Sequence, residues 1–256
     1  MNNKIKSDRL FLLAAVLLCM SFMIAPKKTI KIWLIGDSTM CYYAPERAPL
    51  TGWGMPFAAF FNSDVVIDNR ARGGRSTRTF IGENRWQPIA DSLQKGDYVF
   101  MQFGHNDEVK EEKFKDRYTS PEDYKKNLLK FITETKTKKA NPILVTPVTR
   151  MRFNSEGKAM ETHAEYSAIV HEIGAEQNVP VVDLDQQSLD LLQQLGPDSA
   201  KTLYMQLLPG EHPNYPEGSK DNTHFNQRGA QKMAELVVAE IKRLHLKLVK
   251  HMIKNS

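Results

Sequence analysis

Cysteine is scarce in this chain of 256 residues: only Cys19 and Cys41 are present. Cys19 falls inside an N-terminal apolar run. If that segment is removed, Cys41 has no partner and no internal disulfide can form. Cys41 lies three residues beyond Ser38 and is expected to pack rather than react. There is no cysteine cluster and no His-x-x-x-His, so the spacing of a zinc site is missing, and neither a metal nor another cofactor is expected. Charge of one sign is also short. The net charge is only +5, and no Lys/Arg stripe interleaves with aromatics, which argues against nucleic acid as a partner. Internal repeats, linkers and low-complexity stretches are absent. The longest apolar run, Leu10–Ala25, has sixteen residues, short of the ~20 that a membrane span needs.

That run still carries information. Lys4, Lys6 and Arg9 precede it, and a basic stretch followed by an apolar one is the pattern of a secretory signal. The expectation is that residues 1–25 are a signal peptide and that the protein is exported to the periplasm or beyond. A retained anchor is one alternative. A lipoprotein attached at Cys19 is another, although Leu18 stands where that signal wants a small residue. Lys4, Lys6 and Arg9 against Asp8 put +2 on the first 25 residues and leave +3 on the remainder. Residues 26–256 are ordinary for one globular domain, the whole chain being 41% apolar and 25% charged. A monomer is expected, with no stable membrane partner unless the N-terminal segment is retained.

Five short apolar runs punctuate the body: Ile30–Ile35, Val65–Asp68, Tyr98–Phe103, Pro142–Pro147 and Val179–Leu184. Helical patterns lie between and after them at Met55–Phe61, around Trp86–Leu93, and at Asp123–Lys138, His163–Glu176 and Gln227–Leu244. Strands alternating with helices imply right-handed crossovers and a parallel sheet covered on both faces. The predicted fold is a three-layer α/β/α sandwich with five strands in the order 2-1-3-4-5. Ser188–Ser219, rich in Gly and Pro, is expected to be a helix followed by a long irregular loop near the site.

Three polar stretches fall at the carboxyl ends of successive strands, where ligands collect in such sheets. The first is Gly36-Asp37-Ser38-Thr39. The second runs from Asn69 through Gly73-Gly74 to Ser76, where paired glycines let backbone approach a ligand. The third is Gly104-His105-Asn106-Asp107. A fourth, Asp221-Asn222-Thr223-His224, precedes the last helix, and its Asp and His can turn to the same side of a tight turn. Taken singly, each also reads as a turn or a helix cap. Together they supply a nucleophile, oxyanion donors, a base and a group to orient it, the set that a serine hydrolase requires. His105 is expected to be structural.

These four blocks resemble those of the SGNH hydrolases, also called GDSL-type esterases. The resemblance narrows to the rhamnogalacturonan acetylesterases of carbohydrate esterase family twelve. It narrows through GDSTM, Thr51-Gly52-Trp53-Gly54, NRARGGRSTRTF, FGHND, Arg152-Phe153, Thr162-His163 with Tyr166, and the run from Asn214-Tyr215-Pro216 to DNTHFN. It spans nearly all of residues 30–244. The resemblance implies a flavodoxin-like sheet, a Ser38 nucleophile, His224 as base and Asp221 as its orienter. It also implies an oxyanion hole made of the backbone amides of Ser38 and Gly74 and the side chain of Asn106. The implied substrate is an acetylated polysaccharide of the pectic kind.

An acidic polymer would benefit from cations near the ester. Arg75 and Arg78 follow Gly74, while Arg150 and Arg152 follow strand four, and arginine can meet a carboxylate with two hydrogen bonds. These arginines read equally as surface charges or internal braces. Trp53 is a candidate for stacking on a sugar, or equally for the core. Two rival functions stand beside this one: an esterase of other specificity (xylan, peptidoglycan, lipid or thioester), and a non-enzymatic module cradling phosphate in the Gly-rich turns. Phosphate binding would not need the Asp221/His224 pair.

Overall fold

The computed structural model describes residues 29–253; the expected signal peptide lies outside them. A parallel sheet of five strands has the order β2-β1-β3-β4-β5, as the alternation of strands and helices predicts. The strands are β1 (Ile30–Gly36), β2 (Val65–Asn69), β3 (Tyr98–Gln102), β4 (Asn141–Val145) and β5 (Val181–Val182). The helices are α1 (Thr77–Gly82), α2 (Gln87–Ser92), α3 (Pro121–Thr137), α4 (Ala164–Gln177), α5 (Leu184–Ala200) and α6 (Gln227–Arg243).

Alternation along the strands sorts the side chains into two cores. Ile32 and Leu34 of β1 join Phe100, Ile143 and Val145 against α5 and α6. Trp33 and Ile35 point the other way and join Val99, Met101 and Leu144 against α1 to α4. Both faces are thus covered, which is why the strands read as near-continuous apolar runs rather than as an alternation with polar residues.

Several elements depart from the sequence expectation. Met55–Phe61 forms only a 3₁₀ turn at Pro56–Phe60. The fifth strand is two residues long, because the Asp183 carboxylate accepts from Gln186 N (3.3 Å) and starts α5. Helix α1 was not anticipated. It has only six residues, and a Ser76–Thr79 capping box starts it rather than an apolar period. The largest correction concerns Ser188–Ser219. Helix α5 begins before it and carries a kink at Gly196 (φ 72°). A further antiparallel pair then forms, β6 (Tyr204–Leu207) with β7 (Ser219–Phe225). The residues 208–218 between them are the only irregular part of the expected long loop.

Trp53 is core and not a sugar platform: it is 0% exposed. It heads a buried chain of hydrogen bonds that runs toward the turn after β1. Its Nε1 donates to Gln102 Oε1 (2.5 Å), Gln102 Nε2 donates to Thr39 Oγ1 (2.6 Å), and Thr39 Oγ1 donates to Asp37 Oδ1 (2.8 Å). Each of these donors therefore finds an acceptor away from water, while Asp37 Oδ2 is buried with no hydrogen-bond partner among the described residues. Trp53→Phe removes the donor and leaves a buried amide oxygen unpaired, which is expected to cost roughly 1–3 kcal/mol in urea unfolding. Unchanged stability would show that the chain carries no load.

Candidate active site

Ser38 occupies the turn that leaves β1. Asp37 is fully buried, and its Oδ1 accepts from Thr39 N (2.9 Å) as well as from Thr39 Oγ1. Tyr43 Oη donates to the Ser38 carbonyl (2.9 Å). The backbone on both sides of Ser38 is thereby fixed while its hydroxyl stays free to face the cleft. Gly36 is required just before it, because a Cβ there would lie 2.4 Å from the Gln102 carbonyl oxygen.

The imidazole arrives from the small antiparallel pair. Tyr204 pairs with Phe225, and Met205 pairs with Asp221. One step along β6 thus matches four along β7, and Asn222, Thr223 and His224 bulge out of the ladder. Asp221 Oδ1 gathers this bulge, accepting from Thr223 N (2.8 Å) and His224 N (3.0 Å). Asp221 Oδ2 is 2.7 Å from His224 Nδ1, and His224 Nε2 is 2.9 Å from Ser38 Oγ. Carboxylate, imidazole and hydroxyl therefore stand in hydrogen-bonded series. Partial burial works against ionisation of Asp221, but the His224 ring and the backbone N–H groups of His224 and Thr223 outweigh it. The carboxyl is held below its ordinary value. A bulge within a strand places these groups, in place of the expected tight turn.

The donors close the opposite side. The backbone of β2 continues past its end, with Arg72 N donating to the Gly36 carbonyl (2.9 Å), and delivers Gly73-Gly74 beside Ser38. Gly74 has φ 77°, a conformation that calls for glycine, and the Arg117 guanidinium would lie 3.3 Å from a Cβ placed there. Within the described residues, no hydrogen bond engages the backbone N–H of Ser38 or of Gly74. Asn106 Nδ2 donates to the Arg75 carbonyl (3.1 Å), which orients the side-chain amide. Asp107 ties the same loop down by accepting from Thr77 N (2.9 Å) and Thr77 Oγ1 (2.6 Å).

Two clefts meet at this point. One, of about 760 Å³, is lined in part by His105, Glu108, Arg150 and His163. The other, of about 540 Å³, is lined in part by Tyr42, Arg47, Arg72 and Arg75. Ser38, Asn106, Arg117 and His224 border both. The arginines expected to meet a substrate divide sharply. Arg78 is exposed, reaches the Tyr118 carbonyl (3.4 Å) and lies outside both clefts. Arg152 is also exposed and outside them. Arg75 lines the second cleft but is braced by Glu83 (3.0 Å) and the Gly73 carbonyl (2.9 Å). Arg150 lines the first cleft and is braced there: it donates to Thr223 Oγ1 (2.9 Å), Glu108 Oε1 (3.0 Å) and the His105 carbonyl (3.3 Å).

Sequence reasoning missed Glu108 and Arg117, and met His163 only as part of the motif Thr162-His163, with no role attached. Burial opposes ionisation of Glu108, but the His163 ring (2.9 Å) and Arg150 outweigh it and keep its carboxyl below the usual value. His105 is buried at the edge of the first cleft, and burial pushes its pKa well down, so it stays neutral. Among the described residues, no group of three or more His, Cys, Asp or Glu is arranged to hold a metal ion.

Comparison with known proteins bears on this geometry. The model of the GDSL-like lipase/acylhydrolase family matches residues 34–232, a span that contains all four blocks. The chain belongs to that family. As a member of it, the protein is an ester hydrolase. It is similar to rhamnogalacturonan acetylesterase RhgT of Bacillus subtilis, at 40% identity over 89% of this chain and 96% of that one. Among solved structures, B. subtilis YxiM superposes with a TM-score of 0.73 at 29% identity, covering 86% of this chain and 58% of that one. The acetylxylan esterase Axe2 of Geobacillus stearothermophilus shares the fold, with a TM-score of 0.58 at 20% identity, covering 84% of this chain and 96% of that one.

Asp107 gives this GDSL-like hydrolase a pH signature of its own. Burial pushes its carboxyl from 3.8 up to about 7. Between those values the folded chain holds a proton that the unfolded chain has released. The stability linked to that proton is full below 3.8 and is lost as pH rises through about 7. Relative to Asp107→Asn, the unfolding free energy of the wild type is therefore expected to fall from pH 4 to 7 and level off above. A constant difference across that window would contradict the assignment.

Proposed function

We propose that this chain is an exported serine acetylesterase that removes O-acetyl groups from a pectic polysaccharide of the rhamnogalacturonan kind. The observation that carries the reading is the hydrogen-bonded series Asp221–His224–Ser38 at the meeting point of two open clefts. Ser38 Oγ attacks the acetyl carbonyl carbon while its proton passes to His224 Nε2. Negative charge on the carbonyl oxygen is received by the backbone N–H groups of Ser38 and Gly74 and by Asn106 Nδ2. The bond to the sugar then breaks, and the proton on Nε2 goes to the departing alkoxide. A water then attacks the acetyl carbon, losing its proton to the same nitrogen; the bond to Ser38 Oγ breaks, Oγ takes that proton back from Nε2, and acetate leaves. Asp221 holds the imidazole in the tautomer these transfers need and stabilises its charged form.

An acetyl group needs little room, which suits clefts bordered by charged and polar side chains. A long acyl chain would want an apolar tunnel. The similarity to RhgT over nearly its whole length supports the pectic substrate. Such a polymer cannot enter a cell intact, which accords with the basic-then-apolar N-terminus. Cell fractionation should find the processed chain outside the cytoplasm, and unprocessed cytoplasmic protein would contradict export.

Acetate release from acetylated rhamnogalacturonan, with acetylated xylan beside it, tests the substrate. The acidic polymer is expected to be preferred, with the preference eroded by added salt through screening. Equal, salt-independent rates would leave an esterase and remove pectin. In the same assay, Asn106→Ala is expected to lower kcat by ~10²–10³ with little change in KM, because the donor acts on charge that exists only in the transition state. A pure KM effect would move Asn106 to substrate positioning.

A further inference from the structure

The two clefts that meet at Ser38 differ in charge. Acids and bases mix along the larger one, where Glu108, Glu111 and Glu165 stand with Lys110, Arg117 and Arg150. The second is lined by Arg47, Arg72, Arg75 and Arg117 and by no carboxylate. Only Arg75 is neutralised, by Glu83. Among the described residues, no carboxylate lies within ion-pair distance of Arg47, Arg72 or Arg117. Uncompensated cations facing one concave surface repel each other, and a cleft with low-dielectric walls concentrates their field. An anion entering from solvent relieves that repulsion.

Arg117 is held ready for such an anion. Its guanidinium lies 4.5 Å from the Phe114 ring centroid and against the open face of Gly74. Stacking occupies the face of the guanidinium and leaves its edge donors available, the arrangement that suits a planar bidentate acceptor. Arg72 is exposed and lines the same cleft, its backbone pinned to Gly36. Tyr42, 62% exposed, lines the same cleft. An aromatic ring open to solvent beside free arginines offers a sugar both a stacking surface and a partner for its acid.

We propose that the second cleft is a subsite for a uronate, a carboxylate-bearing sugar next to the acetylated residue, gripped by Arg72 and Arg117 with Tyr42 against its ring. The proposal rests on the acetylesterase reading and adds to it the side of Ser38 on which the acid lies. It also replaces the arginines expected from sequence with two others.

A matched pair of substrates tests it: an acetylated, uronate-containing oligosaccharide with free carboxylates, and the same oligosaccharide with its carboxylates methyl-esterified. The wild type is expected to favour the free acid by roughly tenfold in kcat/KM, the scale of one charge-assisted contact. Arg72→Gln and Arg117→Gln should each shrink that ratio toward one, chiefly by raising KM for the free acid. Arg78→Gln, outside both clefts, should keep the ratio. Because each variant is scored by the ratio of two substrates, a loss of folded protein cancels. Equal wild-type activity on both substrates, or a preference that survives in both Arg72→Gln and Arg117→Gln, would overturn the subsite and leave the acetylesterase standing. Failure to deacetylate either oligosaccharide, with an aryl acetate still turned over, would remove the polysaccharide reading and the subsite with it.

Discussion

The close approach of β1 and β3 at their carboxyl ends is the constraint on which the site depends. Gly36 pairs with Gln102, and there is no room for a Cβ between them. One residue on, the backbone must turn, and the Gln102 side chain reaches across to Thr39. Ser38 is thus placed by the sheet itself and not by a free loop. The other contributors are cross-tied to this frame. Asp107 joins the loop after β3 to Thr77, Asn106 joins it to Arg75, and Arg150 joins the loop after β4 to Thr223 beside His224. Met151 N, donating to the Asn222 carbonyl (2.8 Å), adds a backbone tie to the same bulge. Groups held this way need little reorganisation when charge develops, which is where an esterase gains most.

Three aspartates around Ser38 show how environment divides one residue type. Asp221 is half-exposed and receives N–H donors from His224 and Thr223, so its carboxyl is held low and ionised. Asp37 and Asp107 are fully buried, and burial raises both. The first suits an orienter of imidazole, which needs a full negative charge. The other two serve the backbone. Each accepts from a neighbouring threonine through both N–H and hydroxyl, and so fixes a turn.

The sheet was legible because its central strands β1, β3 and β4 are buried on both faces, and buried parallel strands announce themselves as apolar runs. Ser38, Gly74 and Asn106 were legible because strand ends are where such folds gather chemistry. The β6–β7 pair was not legible. Its second strand, Ser219–Phe225, serves the cleft and carries polar residues at nearly every position, so no alternation marks it. Trp53 looked like a turn residue between two glycines, and only tertiary packing reveals that its N–H is spent on Gln102. Arginines are the hardest case. A long side chain can reach a carbonyl, a carboxylate or a cleft from the same backbone position, and sequence does not say which. Arg150 lines one cleft while tied to Thr223 and Glu108, Arg78 and Arg152 stayed outside both clefts, and Arg117 came from a charged segment with no periodicity of its own.

Activation of Ser38 by His224 at the bulge in β7 is the step on which the chemistry turns. The most direct measurement is covalent labelling with a fluorophosphonate, followed by mass spectrometry of the proteolysed protein. A single adduct is expected on the peptide carrying Ser38 in the wild type, and its loss is expected in His224→Ala. An enzyme that turns over an aryl acetate yet carries the adduct on another residue, or labels Ser38 equally well without His224, would contradict it.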